Sequence, residues 1–169
     1  MKNYQQQELE ELITCPKRII EPPRRDMRLE RGSFHNDFEL ETIGDNINDK
    51  IKFSVFMRKN ESFPENFSIG LIVYPKDEYG SFCILRYNGP HGDHVNSLLD
   101  PHPHFGFHIH EAKAENIMEG FSSELYAELT KSYGSYEEAL LHFLKRINIE
   151  NADKYFDIHR QLPLDLSPG

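Results

Sequence analysis

The sequence predicts an α+β domain in which a mostly antiparallel sheet of about five strands is covered on one face by helices. Three observations indicate this fold. Between residues 27 and 111, apolar side chains recur at every second position, as in strands with one buried face. Between residues 115 and 160 they recur at helical spacing. Strands in series followed by helices in series favour an α+β arrangement, and 169 residues fit one domain over residues 1–169.

A short helix is predicted at the N-terminus, over residues 4–14. Its apolar residues lie on one side, and Pro16 ends it because the residue before a proline avoids the helical region. The following segment, residues 17–31, holds six basic and three acidic residues. It is interpreted as a solvated charged edge, with a strip that faces an anion or a partner protein as the alternative.

Five segments are predicted to be strands. Residues 34–41 and 51–58 alternate apolar and polar side chains and predict a β-hairpin. Residues 67–74 and 81–88 are more continuously apolar, which is typical of central strands. Residues 104–111 supply the fifth strand.

The C-terminal third is predicted to be helical. Ser122 or Ser123 can cap a helix that runs to about Tyr133, with Leu125 and Leu129 four residues apart. A second helix begins at Ser135, where Glu138 three residues later completes a capping-box pattern. Asn151 can cap a third, short helix.

A histidine-rich motif is the main candidate for function, because six of the nine histidines lie between His91 and His110. In the predicted fifth strand, one face carries Phe105, Phe107 and Ile109. The other face carries His104, His108 and His110, with a gap at Gly106 where a ligand or another backbone comes close, or where the strand bulges. If the apolar face packs beneath the helices, the histidine row faces the opposite, more open side of the sheet.

Three interpretations of this motif are open, of which two are chemical. In the first, two of His91, His108 and His110 act as general base and general acid in metal-independent RNA cleavage, with Arg86 stabilising the phosphorane and Tyr87 orienting the substrate. In the second, Zn²⁺ or another divalent transition metal is bound by His108 and His110 together with His91, His94 or His104. In the third, the histidines form a polar face without chemistry, in a protein-interaction module.

Part of the motif resembles a known family. The residues are Arg86, Tyr87, Asn88, Pro90, His91, His108 and His110, within about residues 85–110. The arrangement resembles the signature of TumE-type toxins of bacterial toxin–antitoxin pairs, in which an Arg-aromatic-Asp-Asn-x-Pro-His run is followed by His-x-His. The resemblance implies a toxin-like endoribonuclease, RNA as substrate and an antitoxin-like protein as partner.

Composition limits the function classes. A net charge of −9 and a pI near 5.4 disfavour a protein whose main role is to grip nucleic-acid backbone. No stretch approaches the apolar length of a membrane span, and the N-terminus lacks the apolar core of a signal peptide. Cys15 and Cys83 lie in patterns typical of buried residues. We therefore expect a cytoplasmic protein with no membrane partner.

Overall fold

The computed structural model describes residues 2–44, 49–91 and 105–158. Within these ranges the chain forms three α-helices, eight strands and a 3₁₀ turn at Ala152–Lys154. The helices are α1 (Gln6–Thr14), α2 (Ala114–Met118) and α3 (Tyr136–Arg146). The strands are β1 (Lys17–Glu21), β2 (Arg28–Glu30), β3 (Ser33–Thr42), β4 (Lys52–Asn60), β5 (Phe67–Tyr74), β6 (Phe82–Asn88), β7 (His108–Glu111) and β8 (Ala127–Leu129).

The strands form one antiparallel sheet in the order β1-β3-β4-β5-β6-β7-β8, and β2 pairs with β3 outside this path. The predicted hairpin is β3–β4, and the predicted central strands are β5 and β6. The α+β class and the antiparallel sheet are therefore confirmed. The expected number of about five strands is wrong, because β1, β2 and β8 add three.

Each additional strand lacks the alternation that marks the other five. Strand β1 begins with Lys17, which is buried. Its charge made this segment resemble a solvated edge in the sequence. Strand β2 is exposed at all three positions. Strand β8 lies inside the segment predicted to be a helix from Ser122 or Ser123 to Tyr133. That prediction is wrong: Leu129 is 54% exposed, so it does not contribute to a buried helical stripe.

The helical side of the sheet holds the core. Helix α3 begins as predicted, with the Ser135 hydroxyl accepting a hydrogen bond from the Glu138 amide at 3.2 Å. Its residue Phe143 is fully buried and meets the ring of Tyr87 on β6 edge-on, with ring centroids 5.2 Å apart. In the described parts of the chain, no helix is long and apolar enough to cross a membrane.

A buried amine joins the end of α1 to the end of α3. Lys17 at the start of β1 is fully buried, and its ammonium donates to the carbonyl oxygens of Ile13, Cys15 and Ile147 at 2.7, 2.9 and 3.1 Å. It also lies 4.9 Å from the ring centroid of Phe53. Burial lowers the pKa of Lys17 to about 8. The lysine thus contacts the ends of both α1 and α3.

The opposite side of the sheet, here called the polar face, carries two rows of paired residues. Residues paired across antiparallel strands point to the same side, so the register defines each row. The first row is Asp37, Phe56, Gly70, Arg86, His110 and Ala127. The second is His35, Arg58, Ser68, Asn88, His108 and Leu129.

Candidate functional site

Strand β7 places His108 and His110 on the polar face and Ile109 on the helical side, as the alternation predicts. The histidines are nevertheless not on an open surface, since His108 is fully buried and His110 is 8% exposed. Phe107 and Ile109 pack at the edge of the core. The expectation that Phe105 lies beneath the helices is wrong, because it precedes the strand and is 70% exposed.

Gly106 is not a vacant position for a ligand. A Cβ atom there would lie 2.8 Å from Cδ2 of Leu129, so the β8 side chain occupies the gap. The Gly106 carbonyl oxygen lies 2.8 Å from Nδ1 of His108. Because a carbonyl can only accept, we assign the Nδ1 proton of His108 to this hydrogen bond.

Asn88 determines the role of the other nitrogen of His108. Nε of Arg86 lies 3.1 Å from Oδ1 of Asn88 and can only donate, which identifies that atom as the amide oxygen. The amide nitrogen of Asn88 therefore faces Nε2 of His108, at 3.2 Å. This nitrogen also can only donate, so Nε2 of His108 accepts. We accordingly assign His108 as neutral, with its lone pair on Nε2.

His91 contacts the same nitrogen of His108. The two Nε2 atoms are 3.1 Å apart, and the ring centroids 4.9 Å. Since His108 Nε2 accepts, His91 Nε2 carries the proton in this contact. His91 and His108 therefore meet from opposite ends of the loop between β6 and β7.

His110 contacts the loop before β8. Its Nδ1 lies 2.7 Å from the carbonyl oxygen of Glu124, which assigns a proton to that nitrogen. Its ring meets that of His108 edge-on, with centroids 5.2 Å apart. The Glu124 segment lies over this part of the polar face, so it accounts for the small exposure of His110.

Arg86 is held by polar groups on three sides. Its Nε donates to the hydroxyl of Ser68 at 2.7 Å and to Asn88, and its Nη1 forms an ion pair with Glu124 at 2.9 Å. Ser68 in turn donates to Asn88 Oδ1 at 2.7 Å. The guanidinium therefore has a defined orientation beside His110, its partner in the row.

Tyr133 holds β6 and β7 together from the helical side. Its hydroxyl accepts from the Asn88 amide at 3.1 Å and lies 3.0 and 2.8 Å from the carbonyl oxygens of Asn88 and His108. Burial raises the pKa of Tyr133 well above its ordinary value, so the hydroxyl keeps its proton. The backbone beneath the histidines is thus fixed by a residue that is not adjacent in sequence.

Tyr87 does not join the other predicted site residues. It lies between Arg86 and Asn88 on β6 and points to the opposite side of the sheet, where its hydroxyl lies 2.8 Å from Nδ1 of His142. Burial raises the pKa of Tyr87 to about 12 and contributes to lowering that of His142, so the phenol donates to a neutral imidazole. The structure gives Tyr87 a role in the core rather than beside a substrate.

The turn after β6 is defined by close backbone approach. A Cβ atom on Gly89 would lie 1.7 Å from the carbonyl oxygen of Glu65, and the Gly89 amide donates to the Phe67 carbonyl at 3.1 Å. Gly89 is not among the described residues with positive φ. A glycine is therefore required here because no larger residue fits. A left-handed conformation, for which glycine is often needed, is not the reason.

The predicted metal ligands can be compared only in part. His94 and His104 lie outside the described residues, as does His102. Among the residues that the structure describes, no group of three or more histidine, cysteine, aspartate or glutamate side chains is arranged to hold a metal ion.

The basic segment offers fewer cations than its sequence suggests. Lys17 is buried, Arg18 pairs with Glu41, and Arg28 pairs with Glu30, at 2.7 Å in both ion pairs. Half of its six basic residues are therefore already engaged within the protein.

Three residues of the site were not predicted. Ser68 could have been noticed in the sequence, because it is a hydroxyl residue inside the apolar run of β5. Nothing in the sequence around Glu124 and Tyr133 indicates the site, because both residues reach it only when the C-terminal part folds back onto the sheet.

Comparison of the chain with protein-family models, with curated proteins and with solved structures gave no match.

Proposed function

We propose that this protein is an endoribonuclease-like enzyme that cleaves RNA without a metal, using His91 and His110 as an acid–base pair. The observation that carries the proposal is the 3.1 Å contact between Nε2 of His91 and Nε2 of His108. Because Asn88 and Gly106 assign His108 as neutral, its lone pair stabilises the protonated form of His91. His108 is buried and serves as a positioning residue.

In the proposed reaction, neutral His110 takes the proton of a ribose 2′-hydroxyl. The 2′-oxygen attacks the neighbouring phosphorus, and the bond from phosphorus to the 5′-oxygen breaks. Because Nε2 of His91 faces His108, protonated His91 gives the proton on its Nδ1 to that leaving oxygen, and the products are a 2′,3′-cyclic phosphate and a 5′-hydroxyl. Arg86 stabilises the negative charge on the phosphorane.

RNA is preferred as the substrate for two reasons. The 2′-hydroxyl supplies an internal nucleophile, so two imidazoles and one cation are sufficient for the chemistry. The resemblance of Arg86, Asn88, His91, His108 and His110 to the TumE-type signature points to the same substrate class.

A metal centre is the second candidate. Two Nε2 atoms 3.1 Å apart could also bind one ion, and both strand histidines donate from Nδ1 to a backbone carbonyl, as zinc-ligating histidines do. Against this candidate, an ion bound to the lone pair of His108 Nε2 would displace the hydrogen bond from the Asn88 amide at 3.2 Å, whereas the contact with His91 coexists with that hydrogen bond. We therefore favour proton transfer.

The test uses protein without a histidine tag, in EDTA, and an RNA oligonucleotide beside its 2′-O-methyl counterpart. We expect cleavage of the RNA alone, and a loss of roughly 10²–10⁴-fold in rate for His91→Ala and for His110→Ala. His35→Ala is the matched control, since His35 lies on the same face three strands away from β6. Absence of RNA cleavage by the unaltered protein contradicts the proposal.

Metal analysis of the same protein separates the two candidates. Stoichiometric zinc that is lost in His108→Ala, together with activity abolished by EDTA, would replace acid–base chemistry with a metal centre.

The proposal extends to a cytoplasmic toxin that is controlled by an antitoxin-like partner protein. Expression without the partner should then arrest bacterial growth, and His110→Ala should relieve the arrest. Unimpaired growth with active, well-expressed protein contradicts this extension while leaving the cleavage chemistry in place.

A further inference from the structure

An aromatic ring lies over a glycine of the polar face, beside the candidate site. Phe56 on β4 is paired with Gly70 on β5, and Gly70 with Arg86 on β6. A Cβ atom on Gly70 would lie 2.3 Å from two carbons of the Phe56 ring. The ring therefore extends across the backbone of β5 toward Arg86, which is possible only because residue 70 has no side chain.

Two guanidinium groups lie close to this ring. The central carbon of Arg58 is 5.5 Å from the ring centroid of Phe56, and that of Arg86 is 5.8 Å. Both distances are within the range of cation–π attraction. Arg58 is exposed and Phe56 is partly exposed. A partly exposed aromatic ring thus lies within cation–π distance of two guanidinium groups.

The charges around Phe56 determine on which side of its ring a phosphate is favoured. Asp37, the partner of Phe56 on β3, is exposed and negatively charged. Phosphates are therefore favoured on the side of Arg58 and disfavoured on the side of Asp37. Arg86 already pairs with Glu124 at 2.9 Å, so a phosphate there would share its guanidinium with that carboxylate. A nucleotide meets this pattern, because its base has a flat face that stacks and its phosphates carry the charge.

We propose that Phe56, Arg58 and Arg86 form a subsite for one base and the adjacent phosphates of single-stranded RNA. The inference rests on the proposed function, and it names a substrate contact of the same site. Three strand spacings separate Phe56 from His110, about 14 Å at ~4.8 Å per strand. The subsite consequently binds a nucleotide beside the cleaved bond, and not the nucleotide whose 2′-hydroxyl reacts.

The test measures binding without cleavage. A fluorescent 2′-O-methyl oligonucleotide is titrated at low salt, and the dissociation constant is read from anisotropy. Stacking contributes about 1–3 kcal/mol per base, so we expect Phe56→Leu to weaken binding by roughly 5–150-fold. Phe56→Tyr should bind like the unaltered protein. Tyr74→Leu is the matched control, since Tyr74 is an exposed aromatic residue on the same face, paired with Lys52.

Arg58→Gln provides a second variant, which does not depend on replacing a partly buried ring. Removing one phosphate contact should reduce the slope of log affinity against log salt by about 0.7. Melting curves identify any variant that fails to fold.

The outcomes separate the subsite from the chemistry. Binding that depends on Phe56 and Arg58, in a protein that does not cleave RNA, supports the subsite and overturns the proposed function. Cleavage with unchanged binding in Phe56→Leu and Arg58→Gln overturns the subsite alone. Failure of the unaltered protein to bind the oligonucleotide also overturns the subsite.

Discussion

The carboxylate of Glu41 on β3 lies among three cations. It contacts Lys52 at 2.8 Å, Arg18 at 2.7 Å and Lys50 at 3.1 Å. Hydrogen bonds from Lys52, then from Arg18 and Lys50, lower the pKa of Glu41 to about 2. Since the folded protein binds this proton less readily than the unfolded chain, the ionised carboxylate stabilises the fold above about pH 4.5, and that contribution is lost as the pH falls toward 2.

We expect Glu41→Gln to lower the free energy of unfolding at pH 7 by about 1 kcal/mol, because ion pairs with partly exposed partners are individually weak. The difference from the unaltered protein should shrink between pH 4.5 and 2. Urea denaturation across this range measures it. Glu39→Gln, at an exposed position on the same strand, should have little effect. Equal pH dependence in both variants would show that the three cations do not stabilise Glu41.

Tyr133 gives the second prediction for a single residue. Tyr133→Phe removes the hydroxyl that contacts Asn88 and His108, and leaves a buried amide without its partner. We expect a loss of about 1–3 kcal/mol in stability and a lower rate of RNA cleavage. Thermal denaturation and the cleavage assay measure the two effects. Tyr79→Phe, at a fully exposed tyrosine, is the control. Unchanged cleavage in a destabilised variant would mean that Tyr133 does not position His108.

The alternation of strand residues predicted part of the site. It correctly placed His108 and His110 together, and the same rule places Arg86 and Tyr87 on opposite faces, so the position of Tyr87 could also have been predicted. Glu124 and Tyr133 could not, because contacts over 14 and 25 residues from His110 and His108 depend on how the C-terminal segments return to the sheet.

At the scale of elements, the segment that enters β5 and the end of β6 are in close backbone contact at Gly89. We expect Gly89→Ala to separate them, since its Cβ would lie 1.7 Å from a backbone oxygen that cannot rotate away. Overpacking of this kind costs about 1–3 kcal/mol or more, which corresponds to a fall in Tm of roughly 2–12 °C. Gly44→Ala has open space at its Cβ and should melt normally. Equal melting temperatures would show that the turn adapts.

The elements that the sequence predicted correctly are those with a long pattern. Strands β3 to β6 have seven to ten residues each, enough for alternation or a continuous apolar run to be visible. The three-residue strands β2 and β8 are too short to show a period, and their pairing depends on longer neighbours. In β1 the burial of a lysine reverses the usual relation between charge and exposure.

At the scale of the whole molecule, the net charge of −9 opposes the approach of RNA, and two arginines on the polar face supply local attraction. With about two phosphate contacts, we expect the slope of log affinity against log salt to be about −1.4. Titration of the 2′-O-methyl oligonucleotide from 50 to 200 mM salt measures it. A much steeper slope would indicate a larger basic surface than these two residues.

The buried amine of Lys17 couples the opening motions of the ends of α1 and α3. Because one ammonium contacts the final turn of α1 and the end of α3, neither helix end can fray without losing a hydrogen bond to the group that also holds the other. Amide hydrogen exchange should therefore report one shared opening free energy for both helix ends. In Lys17→Met we expect the two helix ends to exchange separately, so that α1 and α3 open in two steps instead of one.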